Sequence, residues 1–246
     1  MSAFVLTSSA STVNNGQVDN LNIDPLTIPA DPVSQSHCYS TDYGRTKAAA
    51  ELDVLAANSP PLNFHTLALR LPGVYGHGDP WMGGPLSRGE LTHLPGSAGK
   101  RVEMVYVENV AHAHVCACAT LLGRNTMGKV DAKVGGRAYH VTNNEPQWTM
   151  GGFVEAALER YPANAAPAQL GNAMSMFICC FVEGFWWFTQ GNVFAARHPV
   201  WNFTRASLSY MSTDQTFSTA GNELIGYEPL FNVEASLDDM VQKSKR

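Results

Sequence analysis

Apolar residues run unbroken in a few short stretches of this chain and recur at helical spacing in longer ones. Ala3-Phe4-Val5-Leu6 leads straight into Thr7-Ser8-Ser9-Ala10, and Phe64-His65-Thr66-Leu67-Ala68-Leu69-Arg70-Leu71 leads into Pro72-Gly73-Val74-Tyr75-Gly76. Short apolar runs bounded by turn formers read as strands buried on both faces, the kind found inside parallel sheets. Val102 to Val107 and Gly136 to Thr142 read as two more. Between the first pair, Thr46 to Asn58 (TKAAAELDVLAAN) is dense in good helix formers. Helices are also expected over Asn109 to Leu122, with Asn109 as N-cap, and over Met150 to Glu159. Asn14 to Asp42, with Asp24-Pro25, Ile28-Pro29 and Asp31-Pro32, reads as a surface connector. Trp81 to Lys100 has the glycine and proline content of a loop around a short helix. Strands and helices in alternation predict an α/β fold.

The most apolar window, Ala173 to Phe188 (AMSMFICCFVEGFWWF), is sixteen residues long and carries Glu183, too short for a spanning helix, which takes about 20 residues. Its Phe185-Trp186-Trp187-Phe188 end suits either a membrane interface or the greasy wall of a buried pocket. The composition, 45% hydrophobic and 15% charged over 246 residues, is that of a globular chain. A net charge of -5 with no basic cluster argues against a nucleic-acid partner. Five cysteines (Cys38, Cys116, Cys118, Cys179, Cys180) form no C-x-x-C set and point to a reducing compartment. His112 and His114 are two apart, whereas a metal-binding helix uses i and i+4, so no metal site is expected.

The candidate chemistry lies in Tyr43-Gly44-Arg45-Thr46-Lys47. Residues four apart share a helix face, so the Tyr43 hydroxyl and the Lys47 ammonium point to one side. A neighbouring ammonium favours the phenolate form of a tyrosine, which makes Tyr-x-x-x-Lys a compact general acid/base. The pair gains meaning from its neighbours. Ser9 stands at the carboxyl end of the first strand, where ligands of parallel sheets sit, and the 72–76 turn follows the second.

In this order the segments resemble the catalytic half of an extended short-chain dehydrogenase/reductase, and most closely the 3β-hydroxysteroid dehydrogenase family. Gly76-His77-Gly78-Asp79-Pro80, Val105-Tyr106-Val107-Glu108-Asn109-Val110-Ala111-His112-Ala113-His114, Phe217-Ser218-Thr219 and Leu224-Ile225-Gly226-Tyr227-Glu228-Pro229 extend the resemblance along most of the chain. It implies the C-terminal portion of a doubly wound, Rossmann-like parallel sheet with a smaller substrate-side α+β domain. Residues 1–142 would form the incomplete Rossmann-like portion, with a substrate-side insert at about 77–101, and residues 143–246 the substrate-side portion.

The resemblance also implies roles. Tyr43 would exchange the proton with the substrate oxygen, Lys47 would assist it and hold the nicotinamide ribose, and Ser9, rather than its neighbour Ser8, would orient the substrate oxygen. Backbone at Pro72, Gly73 and Val74 would face the nicotinamide, with Tyr75 closing the pocket beside it. The implied cofactor is NAD or NADP and the implied substrate a steroid or sterol; a homodimer and peripheral contact with the endoplasmic reticulum membrane from a cytoplasmic location fit the same picture. The strand, G-x-x-G-x-x-G-like turn and helix that hold the pyrophosphate are not found in these 246 residues, so the family's first half is expected to be missing and the chain by itself inactive. Two other readings stand beside this one: a nucleotide-sugar epimerase or reductase on the same scaffold, and a non-catalytic remnant.

Overall fold

The apolar runs become the sheet. The computed structural model describes residues 2–14, 16, 18–39, 41–80, 82–90, 93–95, 99–124, 134–162, 168–188 and 204–244; parts of the expected 81–100 loop lie outside these. In chain order the elements are β1 (Ser2–Ser9), β2 (Asn20–Ile23), α1 (Asp42–Ala56), β3 (Phe64–Leu71), β4 (Gly73–Tyr75), α2 (Gly83–Arg88), β5 (His93–Pro95), β6 (Met104–Tyr106) and α3 (Val107–Leu121). They continue with β7 (Arg137–His140), α4 (Met150–Arg160), β8 (Ala168–Leu170), α5 (Asn172–Phe188), α6 (Arg205–Met211), β9 (Gln215–Phe217) and α7 (Val233–Ser244).

The main sheet is parallel throughout, in the order β1-β3-β7, with Ser9 opposite Leu71 and Arg70 opposite His140. β3 is central and buried along nearly its whole length, which is why its sequence shows no polar alternation. Neighbouring strand residues point to opposite faces. Ser8 reaches Glu51 on α1 while Thr7 reaches His114 on α3, so the two helices cover opposite sides of the sheet. On the α3 side, Leu67, Leu69, Leu71, Ala113, Ala117, Leu121 and Tyr139 form one core. A second core gathers Tyr75, Tyr106, Phe153, Val154 and Leu237 from β4, β6, α4 and α7. Among the described residues the outer edge of β1 has no partner strand.

Three expectations are corrected. The 72–76 turn contains a strand: β4 pairs in parallel with β6, Gly73 opposite Met104. The 14–42 connector also contains one, since β2 pairs in parallel with β9. The third helix begins at Val107, not Asn109; Asn109 is fully buried within it, donating to Asn143 Oδ1 (2.8 Å) and Phe231 O (2.7 Å) and accepting from the backbone of Leu230 and Phe231. It clamps the 230–231 segment instead of capping the helix.

Candidate active site

α1 begins at Asp42, capped by the Thr41 hydroxyl, which accepts from Gly44 N at 3.1 Å. A Cβ on Gly44 would stand 3.1 Å from Ser11 O, so glycine here lets the first turn of the helix lie close against the turn that follows β1. Buried Ala48 continues the close approach to the sheet. Every fourth residue then steps inward: Tyr43 is 57% exposed, Lys47 half-buried and Glu51 fully buried.

Lys47 Nζ donates to Thr7 O at 2.9 Å, which binds the middle of this line to β1 two residues before Ser9. Ser9 itself starts a short 3-10 turn (Ala10–Thr12); its Oγ accepts from Ser11 N at 3.2 Å and lies 2.9 Å from Ser11 Oγ. Ser8 points the other way, and its hydroxyl is spent on Glu51 Oε2 at 2.5 Å. Because Ser9 is in register with Leu71, the 72–74 segment emerges beside it at the same edge of the sheet. Pro72 is buried, whereas Gly73 and Val74 are exposed. Ser9, Lys47 and the Gly73-Val74 backbone thus lie toward the carboxyl ends of β1 and β3, and Tyr43 stands one turn before Lys47 on α1.

Tyr75 is placed differently from the role that the resemblance implies. It is 1% exposed, and its hydroxyl receives Asn143 Nδ2 at 2.9 Å and lies 2.6 Å from Ser236 Oγ. Phe153 meets its ring edge-on at 4.9 Å, and burial pushes its phenol up to about 12. In this chain it holds β4 against α7 and does not line an open pocket.

An open concavity of about 550 Å³ is lined by Pro32, Val33, Ser36, Tyr39, Thr41, Asp42 and Arg45. Arg45 stands two residues from both Tyr43 and Lys47, about 200° round the helix. That hollow therefore lies on the other flank of α1 and takes in none of Ser9, Tyr43, Lys47 and the Gly73-Val74 backbone.

Sequence reasoning missed the pair behind the site, Glu51 and Arg70. Arg70 Nη2 lies 2.5 Å from Glu51 Oε1, with both side chains out of solvent. The signal was available: a charged residue inside an apolar strand needs a buried counter-charge, and Glu51 stands one turn beyond Lys47.

Residues 1–165 match the 3-beta hydroxysteroid dehydrogenase/isomerase family. The chain belongs to that family. Among curated relatives, this family member is 34% identical over 146 residues to the sterol-4-alpha-carboxylate 3-dehydrogenase, decarboxylating, of Mus musculus, an alignment covering 58% of this chain and 36% of that one. With the corresponding protein of Schizosaccharomyces pombe it is 29% identical over 249 residues, 96% of this chain and 64% of that one. The chain thus spans between about a third and two thirds of the length of these relatives. Among solved structures, MoeE5 in complex with UDP-glucuronic acid and NAD superposes with a TM-score of 0.62 at 18% identity, over all of this chain and 66% of that one, which shows a shared fold.

Proposed function

We propose that Ser9, Tyr43, Lys47 and the Gly73-Val74 backbone form the nicotinamide side of an NAD(P)-dependent oxidoreductase site acting on a 3β-hydroxysteroid or sterol. The observation that carries this reading is the placement of Tyr43 and Lys47 on one line of α1, with Lys47 tied to β1 and an exposed Gly73-Val74 backbone beside Ser9. The fit can be tested at Gly73. A Cβ there would make only ordinary contact, 3.5 Å from Met104 Cγ, and its φ is not positive, so nothing in the chain's own packing requires glycine. Close approach of a flat ligand does. Bound at this edge, NAD or NADP supplies the hydride acceptor or donor. Tyr43 Oη takes the proton of the substrate hydroxyl as its carbon gives up hydride, or returns it in reduction; Ser9 orients the substrate oxygen, and Lys47 holds the ribose.

Relatives named for sterols favour this substrate class over nucleotide sugars, since the likeness to MoeE5 is one of fold. No strand, glycine-rich turn and helix of the pyrophosphate-binding kind is present among the described residues, so this 246-residue chain by itself binds the cofactor weakly. Calorimetric titration with NADH, followed by assay of a 3β-hydroxysterol with NAD and with NADP, tests both points. Weak binding and little turnover are expected of this chain, and whatever turnover it shows should fall at least ~100-fold in Tyr43→Phe, cofactor binding being retained. Low-micromolar binding would refute the weak-binding part, and turnover surviving in Tyr43→Phe would remove Tyr43 from the mechanism. A chain that neither binds nor turns over at millimolar cofactor would support the non-catalytic reading.

We further propose that α5 rests on a lipid surface. Met174, Phe177, Phe181, Phe185, Trp187 and Phe188 are all exposed, Phe177 by 69% and Trp187 by 82%, while Ser175, Cys179 and Val182 face inward. From 173 to 188 no described exposed side chain is charged, and Glu183 is neutralised by Arg205 at 2.6 Å. An outward face whose described side chains from 173 to 188 carry no exposed charge suits hydrocarbon. No helix among the described residues is long and apolar enough to cross a membrane, so α5 lies along the surface. Flotation with phosphatidylcholine vesicles should carry the native chain and lose the Phe177→Ser/Phe181→Ser/Phe185→Ser variant. Native protein left at the bottom of the gradient would assign the stripe to another contact.

A further inference from the structure

Glu51 and Arg70 are 0% and 1% exposed, and a buried ion pair is poor value as a stabiliser, because apolar residues of the same volume serve stability as well or better. Its worth lies in what it orients. Glu51 accepts Arg70 Nε at 3.0 and 3.2 Å and Nη2 at 2.5 Å, and its Oε2 also accepts Ser8 Oγ at 2.5 Å and Thr12 Oγ1 at 3.4 Å. Ser8 adjoins Thr7, whose carbonyl receives Lys47; Thr12 belongs to the turn against which Gly44 packs; Glu51 is the next turn of the helix after Lys47. One carboxylate therefore ties down the residue next to Thr7 and the turn that follows β1, on the side where Lys47 is held. The remaining donors of Arg70 are spent elsewhere: Nη1 on Pro25 O at 3.1 Å and Nη2 on Thr27 O at 2.9 Å, both in the connector. Pairing with Glu51 alone needs no guanidinium, since a lysine could supply the charge; only the planar fork reaches carboxylate and two carbonyls together.

We propose that Glu51 and Arg70 are positioning residues that couple the 24–27 segment of the connector to the Tyr43-Lys47 face of α1. Lys47 sits on Thr7 only while the connector is seated on Arg70. The coupling is a property of the chain without ligand, although its bearing on turnover rests on the oxidoreductase reading.

Arg70→Lys keeps the charge opposite Glu51 and drops the carbonyl contacts. In purified chain the variant is expected to unfold cooperatively, with hydrogen exchange across residues 24–28 at least tenfold faster. Acetic anhydride labelling of Lys47, read by mass spectrometry against Lys100 as an internal standard, should rise several-fold. Faster exchange in the connector with unchanged Lys47 labelling would overturn the coupling, as would no change in either. Should Arg70→Lys not fold, Ser8→Ala decides: it removes one arm on the β1 side, and Lys47 labelling should rise while connector exchange stays as in the native chain; unchanged labelling overturns the proposal. Where turnover is measurable, Arg70→Lys should lower kcat and raise the cofactor KM together, because Lys47 serves both the proton transfer and the ribose, and leave the substrate KM unchanged, a split that general loosening would not give. Labelling that behaves as expected leaves the coupling standing whether or not the chain turns over, while the cofactor titration and the Tyr43→Phe assay test the oxidoreductase reading separately.

Discussion

At the scale of single residues, Gly73 and Glu103 carry the sharpest expectations. Replacing Gly73 by alanine adds a methyl that Met104 accepts at ordinary contact distance, and it narrows the unfolded ensemble, so stability should hold or rise by about 0.5 kcal/mol. Cofactor affinity should nevertheless fall tenfold or more, as seen by calorimetry with NADH; equal affinity would show that nothing approaches this backbone. Glu103 is 4% exposed, accepts Phe217 N at 2.5 Å, and is pushed up to about 7 by burial. From its ordinary 4.5 up to that value the folded chain keeps a proton that the unfolded chain has released. Stability from this group is therefore whole below 4.5 and lost as pH rises through 7, a swing on the order of 3 kcal/mol. Buried His140, its ring without a hydrogen-bond partner, works in the opposite sense: burial, and then the charge of Arg70, hold it down to about 3, so its contribution is lost as pH falls from 6.5. Between 4.5 and 6.5 the two slopes oppose one another. Urea unfolding of Glu103→Gln against native chain, from pH 4.5 to 8, isolates the first: the variant should gain relative stability up to about 7 and level off above it, and a constant difference throughout would mean that burial does not raise Glu103.

At the scale of elements, Tyr75 ties β4 to α7 through one chain of hydrogen bonds: Asn143 Nδ2 to Tyr75 Oη, and Ser236 Oγ onward to Val233 O at 2.6 Å. Tyr75→Phe leaves the Asn143 amide short of an acceptor inside the core, which costs about 1–3 kcal/mol and lowers the melting temperature by a few degrees. An unchanged melting curve would place Tyr75 at a looser site than the one described. The same elements show what could be read from sequence. β1, α1 and β3 were legible because apolar runs and helix formers agree locally, although α1 starts at Asp42, four residues before the run that marked it. β2 was not: Asn-Leu-Asn-Ile alternates over only four residues inside a Pro- and Asx-rich stretch, Asn22 sits at φ 57°, and the hydrogen-bonding partner lies at the far end of the chain. Nor was the inner role of Asn109, since a residue that holds backbone 121 positions away looks like any helix cap in its own neighbourhood. The Tyr43-Lys47 line could be read from helical spacing alone; the Glu51-Arg70 pair behind it joins α1 to β3 and becomes visible only once both are placed.

At the scale of the whole molecule, local elements stand ready early while the ties between them span the chain. β1, α1 and β3 arise within the first 71 residues, yet Arg70 reaches back to the connector, Asn109 reaches forward to Phe231, and Tyr75 reaches to Ser236. Among the described residues the parallel pairing of β2 with β9, Asn20 opposite Gln215 and Ile23 opposite Phe217, is the longest of the strand ties. On a ribosome adding ~5–20 residues per second, β2 waits on the order of ten to forty seconds for its partner. Through that interval the main sheet can already close, but the connector that leads from β2 to Arg70 lacks its outer support. The seat of Lys47 is therefore expected to mature late, after the sheet, and a nascent chain halted before residue 215 should hold a protected β3 amide ladder beside a connector that proteases still cut.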